Sequence, residues 1–248
     1  MLDNLVDILV LSSLAGLATG FGGLVVVVLE PGKRALGFLM GLAAGIMITF
    51  SFLELMSEAL KISGLFLAAS SFALGSLLMF SLDFLLPHTY FAVDERGVIS
   101  GKVVKSSVLI AIGISLHNFP EGVAVASGYS YLPRLGLVMA IAVALHNIPE
   151  GMAISIPIYK AGSSKLAAFR LALVSGLVEP LGAFFASLFL ESFQELVPIG
   201  LAFAGGVMVL VTLDELIPVA RESGHEHFTS FGVIMGCIAT FMLMAVIW

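Results

Sequence analysis

Charge is what this sequence has least of. Only 11% of its 248 residues are Asp, Glu, Lys or Arg, against about 25% in a soluble domain. That scarcity excludes an ordinary water-facing globular domain. The net charge is −6 and no basic patch occurs, which excludes a nucleic-acid partner. Cysteine is reduced to Cys237, so no internal disulfide can form. Lying in an apolar run, Cys237 reads as a small packed hydrophobe. No basic segment precedes the first apolar run, and the N-terminus opens with Asp3 and Asp7. That run is expected to be a retained span and not a cleaved signal peptide. No G-x-x-x-x-G-K loop is present, which argues against direct use of ATP.

What is there is apolar. Hydrophobic residues make up 59% of the chain and the mean hydropathy is +1.11. The expected class is an all-α integral membrane protein. The length leaves room for about eight spanning helices of roughly 20 residues each, and for no soluble domain beside them. Residues 1–248 are read as one transmembrane domain. The apolar runs are Leu5–Leu29, Ala35–Ala59, Ile62–Leu86, Ser106–Tyr129, Leu135–Tyr159, Lys165–Leu190, Leu196–Ala220 and Phe228–Trp248. Each is long enough to cross a bilayer as a helix. Turn-forming and polar residues punctuate the joints, as in Glu30-Pro31-Gly32-Lys33-Arg34 and Ala161-Gly162-Ser163-Ser164. The longest joint, 88–105, is polar and reads as a loop.

Basic residues set the orientation. Alternate joints hold Lys33, Arg34, Arg96, Lys102, Lys105, Lys160, Lys165, Arg170 and Arg221, nine of the eleven Lys and Arg. The other side has Lys61 and Arg134. The richer joints are expected in the cytoplasm, with both termini outside. The alternation also supports the count of eight, since a missed helix would scramble it.

Two long-range similarities run through the chain. Ala15–Gly23 in run 1 resembles Ser175–Ala183 in run 6, and Gly45–Leu55 in run 2 resembles Gly206–Leu216 in run 7. The offsets are 160 and 161 residues. The paired runs cross in opposite directions. The pattern reads as an inverted repeat of three helices, a central pair and three more, a transporter signature with its site at the midplane.

The central pair carries one phrase twice. His117-Asn118-Phe119-Pro120-Glu121-Gly122 lies in run 4, and His146-Asn147-Ile148-Pro149-Glu150-Gly151 lies 29 positions on in run 5. Residues four apart share a helix face, so each His faces the same way as its Glu. Asn118 and Asn147 lie on the same edge. Pro120 and Pro149 free the carbonyls of Leu116 and Leu145 and are expected to kink both helices. Glu121, Glu150 and Glu179 in run 6 all fall near the middle of their runs. A lone charge at that depth costs several kcal/mol, and no Lys or Arg lies mid-run to neutralise it. Either the carboxylates stay protonated or a metal ion neutralises them, and two adjacent His favour the metal. Imidazole with carboxylate suits Zn²⁺ and neighbouring divalent transition metals. It suits Mg²⁺ and Ca²⁺ poorly.

Paired H-N-x-P-E-G phrases on consecutive spans, eight runs and outward termini resemble the ZIP family (Zrt/Irt-like divalent metal transporters), in its broad-range bacterial branch. The resemblance covers essentially the whole chain. It implies a metal importer of the cell membrane with a two-metal site between the fourth and fifth helices. His117, Asn118 and Glu121 match the fourth-helix ligands, and His146, Asn147 and Glu150 the fifth-helix ligands. Glu179 matches a sixth-helix carboxylate that completes the second position. Met47 matches a second-helix contact. The cargo implied is Zn²⁺ with Fe²⁺, Mn²⁺ and Cd²⁺ as further candidates, and no cofactor. Expected partners are the metal ions and the lipid bilayer, and carriers of this kind often form homodimers. Some relatives replace the fifth-helix His-Asn pair, so their selectivity does not transfer. Eukaryotic members often have a His-rich loop between helices three and four, where this chain has only His88.

Glu54, Asp214 and Glu215 lie towards the ends of runs 2 and 7. They read either as attractors of cations at entrance and exit or as wetted helix ends. Asp83 reads as interfacial, and His225-Glu226-His227 as a solvated loop or a weak metal relay. Two other functions share the ligands: an intramembrane dimetal hydrolase or hydroxylase, and a passive channel. Against the enzyme, every candidate base is already a ligand and no separate nucleophile or acid stands out. Glu179 has Thr19 as its counterpart in the repeat, so the two metal positions are expected to be unequal.

Overall fold

Apolar runs of this length satisfy their own backbone hydrogen bonds inside a membrane only as helices, and helices are what forms. The structure, a computed structural model, describes residues 4–85, 101–160, 162–190, 192–223 and 225–247. Ten α-helices are found there: α1 Leu5–Leu29, α2 Lys33–Phe50, α3 Ser57–Leu85, α4 Gly101–Tyr131, α5 Pro133–Lys160, α6 Lys165–Gly176, α7 Val178–Leu190, α8 Val197–Val211, α9 Ile217–Ser223 and α10 Glu226–Ile247. Two wide-turn π segments, Ser51–Met56 and Thr212–Leu216, join α2 to α3 and α8 to α9. Among the described residues, six helical stretches are long and apolar enough to cross a membrane.

One of these stretches is two arms. Residues 33–82 read continuously as helix over 50 residues, but Gly64 has φ 79° and ψ 172°. A side chain resists that region and glycine does not. The chain folds back there. Phe52 and Phe72 stack at 5.7 Å between ring centroids, whereas a straight helix would hold them about 30 Å apart. The apolar runs leave the joint at 60–61, where Lys61 lies. Lys61 instead stays helical and bonds back to the Glu58 carboxylate one turn earlier.

Other boundaries also move for local reasons. α4 begins at Gly101, ahead of Ser106, because Lys102 and Lys105 are good helix formers with no breaker between them. Run 6 is interrupted at Leu177, between α6 and α7. Pro180 lacks the N–H that would bond the Gly176 carbonyl four residues back. Pro218 relates in the same way to Asp214 inside the second π segment. α4 and α5 remain helical through Pro120 and Pro149.

The helices cross at backbone contact. α1 packs on α5 and α6, α4 on α5 and α7, α2 on α10, and α3 on α8. Gly22 meets the Ile148 carbonyl with no room for a Cβ, and Gly182 meets the Phe119 carbonyl alike. The two contacts are related by the offsets of 160 and 29 residues. Gly151 on the Thr19 carbonyl and Gly122 on the Glu179 carbonyl form a second such pair. Gly45 on Val233 and Gly206 on Phe72 form a third, at an offset of 161. The π segments recur at the same offset.

α1 is tied at both ends. Tyr129 of α4 donates to Asp7 Oδ2 at 2.8 Å, and Tyr159 of α5 donates to Glu30 Oε1 at 2.9 Å. Lys165 lies 3.4 Å from the same oxygen. The Tyr159 hydroxyl first, and Lys165 second, hold the exposed Glu30 carboxyl below its usual range.

Candidate metal centre

The tight crossings bring α4, α5 and α7 together around the doubled phrase. His117, Asn118, Glu121, His146, Asn147, Glu150 and Glu179 are all buried, none more than 3% exposed. Glu121, His146 and Glu150 each offer a ligand atom within 4.8 Å of the other two. His146 Nε2 lies 3.1 Å from Glu121 Oε1. One ion with bonds of about 2 Å to nitrogen and oxygen fits among these three after a small contraction.

His117 is not in that trio. Its Nε2 lies 3.1 Å from Glu215 Oε2, so the imidazole faces the π segment that joins α8 to α9. Glu54 is buried, so it is not a wetted helix end, while Glu215 is half-buried with one carboxylate oxygen on His117. Sequence position ranks Glu215 low because it lies near the end of its run. The available signal is its match to Glu54 at the 161 offset, two acids at equivalent places in apolar runs.

The two asparagines act as scaffold on one side and acceptor on the other. Asn118 Nδ2 donates to the Ser175 carbonyl at 2.8 Å and to Ser175 Oγ at 3.3 Å. Asn147 Nδ2 donates to the Ala15 carbonyl and to Glu179 Oε2, both at 3.0 Å. A carbonyl can only accept, so the NH₂ groups must face it and each Oδ1 must face away. Asn118 Oδ1, Asn147 Oδ1, Glu121 Oε2, Glu150 Oε2 and Glu179 Oε1 are buried with no hydrogen-bonding partner among the described residues. All five are acceptors when the acids are ionised. Every Lys and Arg whose side chain is described is exposed. Buried carboxylates without a partner are costly by several kcal/mol, and no described Lys or Arg side chain is buried beside them. The donor set of imidazole and carboxylate fits a divalent transition metal.

Met47 is buried on α2, and its Sδ accepts from Thr212 Oγ1 at 3.5 Å. Cys237 is half-buried, with Sγ 3.8 Å from the Gly45 carbonyl. His225 and His227 are exposed, their rings 5.7 Å apart, and His227 lies in the first turn of α10. The side chain of Asp83, and His88 with most of its joint, lie outside the described residues.

A helical bundle with several membrane-length apolar helices and an acid-rich, imidazole-bearing core is a membrane protein that handles metal ions. The comparisons agree in kind. The family model described as ZIP Zinc transporter matches residues 93–247. The chain is 37% identical over 268 residues to Zinc transporter ZupT of Akkermansia muciniphila, covering 99% of this chain and 97% of that one. It is 37% identical to the Streptococcus mutans ZupT over 96% of both chains, and 39% identical to the Salmonella newport ZupT over 92% of both. The chain belongs to the ZIP family. It is a multi-pass membrane transporter and not an enzyme.

Proposed function

We propose that this protein imports Zn²⁺ into the cytoplasm, with Fe²⁺, Mn²⁺ and Cd²⁺ as further cargoes, through a two-metal site at the middle of the membrane. The observation that carries the reading is the buried trio of Glu121, His146 and Glu150 within 4.8 Å, in a core without described Lys or Arg. Names of the similar proteins add zinc as the cargo. The trio makes the first metal position. Glu179, with the outward-turned Oδ1 atoms of Asn118 and Asn147, makes the second. His117, held on Glu215, is the hand-over ligand towards the cytoplasm.

The architecture proposed is eight crossings in a 3+2+3 inverted repeat with both termini outside. The fold-back at Gly64 and the recurrence of contacts at 160, 161 and 29 residues support it. So does the distribution of basic residues. A midplane site between inverted halves serves alternating access. Metal binding requires deprotonated ligands, so cargo and protons compete for the same atoms.

The test is uptake of Zn²⁺ into proteoliposomes by the purified protein. Glu121→Ala and His146→Ala should each cut the rate by at least about tenfold, the scale at which ligand-shell changes act. Uptake that is undiminished in both variants would remove the site assignment. Flux that saturates with Zn²⁺ marks a carrier, and flux that stays linear marks a channel.

A further inference from the structure

The chain has five histidines. His117 and His146 belong to the core, and His88 lies outside the described residues. His225 and His227 remain, which the sequence leaves as a solvated loop or a weak metal relay. The structure brings their rings together. The centroids are 5.7 Å apart, with the planes tilted by 41°. Both side chains are exposed.

The pair stands on a fixed base. The His225 carbonyl accepts from the Thr229 N–H at 2.9 Å and from Thr229 Oγ1 at 3.3 Å. Thr229 is buried, and its Oγ1 also donates to the Ala220 carbonyl of α9 at 3.1 Å. The Thr229 carbonyl lies against Gly41 of α2, where a Cβ has no room. The His225 ring lies nearly perpendicular to that of Phe228, 5.5 Å away. The backbone carrying both imidazoles is thus anchored to α9 and α2, so little ordering remains to be done when a ligand arrives.

The spacing fits one ion. Tetrahedral Zn²⁺ with two imidazole nitrogens at about 2.0–2.1 Å holds the ring centres about 5–6 Å apart. Imidazole suits Zn²⁺ and its transition-metal neighbours, whereas Mg²⁺ and Ca²⁺ take oxygen. Surrounding charge sets the strength. Glu226, exposed between the two histidines, attracts a cation. The N-terminus of α10 repels one, and so does Arg34, whose guanidinium lies 5.8 Å from the centre of the Phe228 ring. Two protein ligands, water in the other positions and this opposed field make a weak site with fast exchange.

We infer that His225 and His227 form a two-imidazole site for Zn²⁺ and similar divalent transition metals at the joint of α9 and α10, separate from the core trio. Its place on the ion's route rests on the orientation and import proposed above. α9, seven residues and about 10 Å long, joins the π segment bearing Glu215 to this pair. Zn²⁺ released past His117 and Glu215 therefore meets the pair at the cytoplasmic surface.

The test is carbethoxylation of histidine by diethyl pyrocarbonate, read residue by residue by mass spectrometry, while Zn²⁺ is titrated into the purified full-length protein. His225 and His227 should become protected together, over one range of free Zn²⁺. His225→Gln should move the protection of His227 to at least about tenfold higher Zn²⁺, because a lone imidazole loses the second attachment. His227→Gln should do the same to His225. Mg²⁺ at equal concentration should protect neither. Both side chains are exposed, so the two variants should melt with the wild type. Protection of one histidine that ignores the loss of the other, equal protection by Mg²⁺, or no protection at all would overturn the site. Protection should persist in Glu121→Ala, and its disappearance there would mean that the pair only reports the core site. Undiminished uptake by Glu121→Ala and His146→Ala would remove the import reading and leave the paired protection standing.

Discussion

At the residue scale, three of the proposed ligands have one atom anchored and another with no partner among the described residues. Asn118 and Asn147 anchor through nitrogen to carbonyls of α6 and α1. Glu179 anchors through Oε2 to Asn147. Such anchoring fixes ligand direction before the ion arrives, the part usually played by outer-shell groups. His117 differs, because its anchor is the half-buried Glu215. Glu215→Gln should leave Zn²⁺ affinity at the Glu121–His146–Glu150 trio unchanged and slow transport by roughly tenfold. Calorimetry on the purified protein and initial-rate uptake separate the two effects, and equal losses in both would place Glu215 in the first position instead. The doubled phrase was legible in the sequence because polar residues stand out in an apolar run. Glu215 was not, since near a run's end an acid needs no explanation. Only the wide turn at Thr212–Leu216 shows that it faces inwards.

At the element scale, periodicity finds helices readily but misplaces their interruptions. The gap between apolar runs falls at Lys61, yet the turn comes at Gly64, where φ is positive. A charged residue can reach outwards while its backbone stays helical, whereas a positive φ cannot be accommodated in a helix. The break at Leu177 follows from Pro180 and could be read in advance. The π segment Ser51–Met56 has no proline beside it, and nothing local in the sequence announces it. The glycine crossings give the sharpest test at this scale. Gly182→Ala would drive a methyl into the Phe119 backbone, and over-packing of this kind costs about 1–3 kcal/mol or more. It should lower the melting temperature and the yield of folded protein. Gly32→Ala, with nothing within 4 Å of the added carbon, should do neither.

For the whole molecule, long-range pairing matters more than any helix. Which runs touch could be expected only in outline from the repeat. The contacts that fix it are between backbones, at Gly22 and Ile148 or Gly206 and Phe72, where side-chain chemistry leaves little trace in a sequence. One further property belongs to the molecule as a whole. Its described Lys and Arg side chains are all at the surface, while Glu121, Glu150 and Glu179 are inside. If the proposed ligands ionise to take up metal, acids with no described Lys or Arg among them make the interior a cation-exchange phase, and such a phase shuts out mobile anions as a charged resin does. The ion is then expected to travel without a chloride or phosphate companion. Replacing chloride by gluconate on both sides of the vesicle should leave the initial rate of Zn²⁺ uptake unchanged, and a rate that follows the anion would mean that the two cross together.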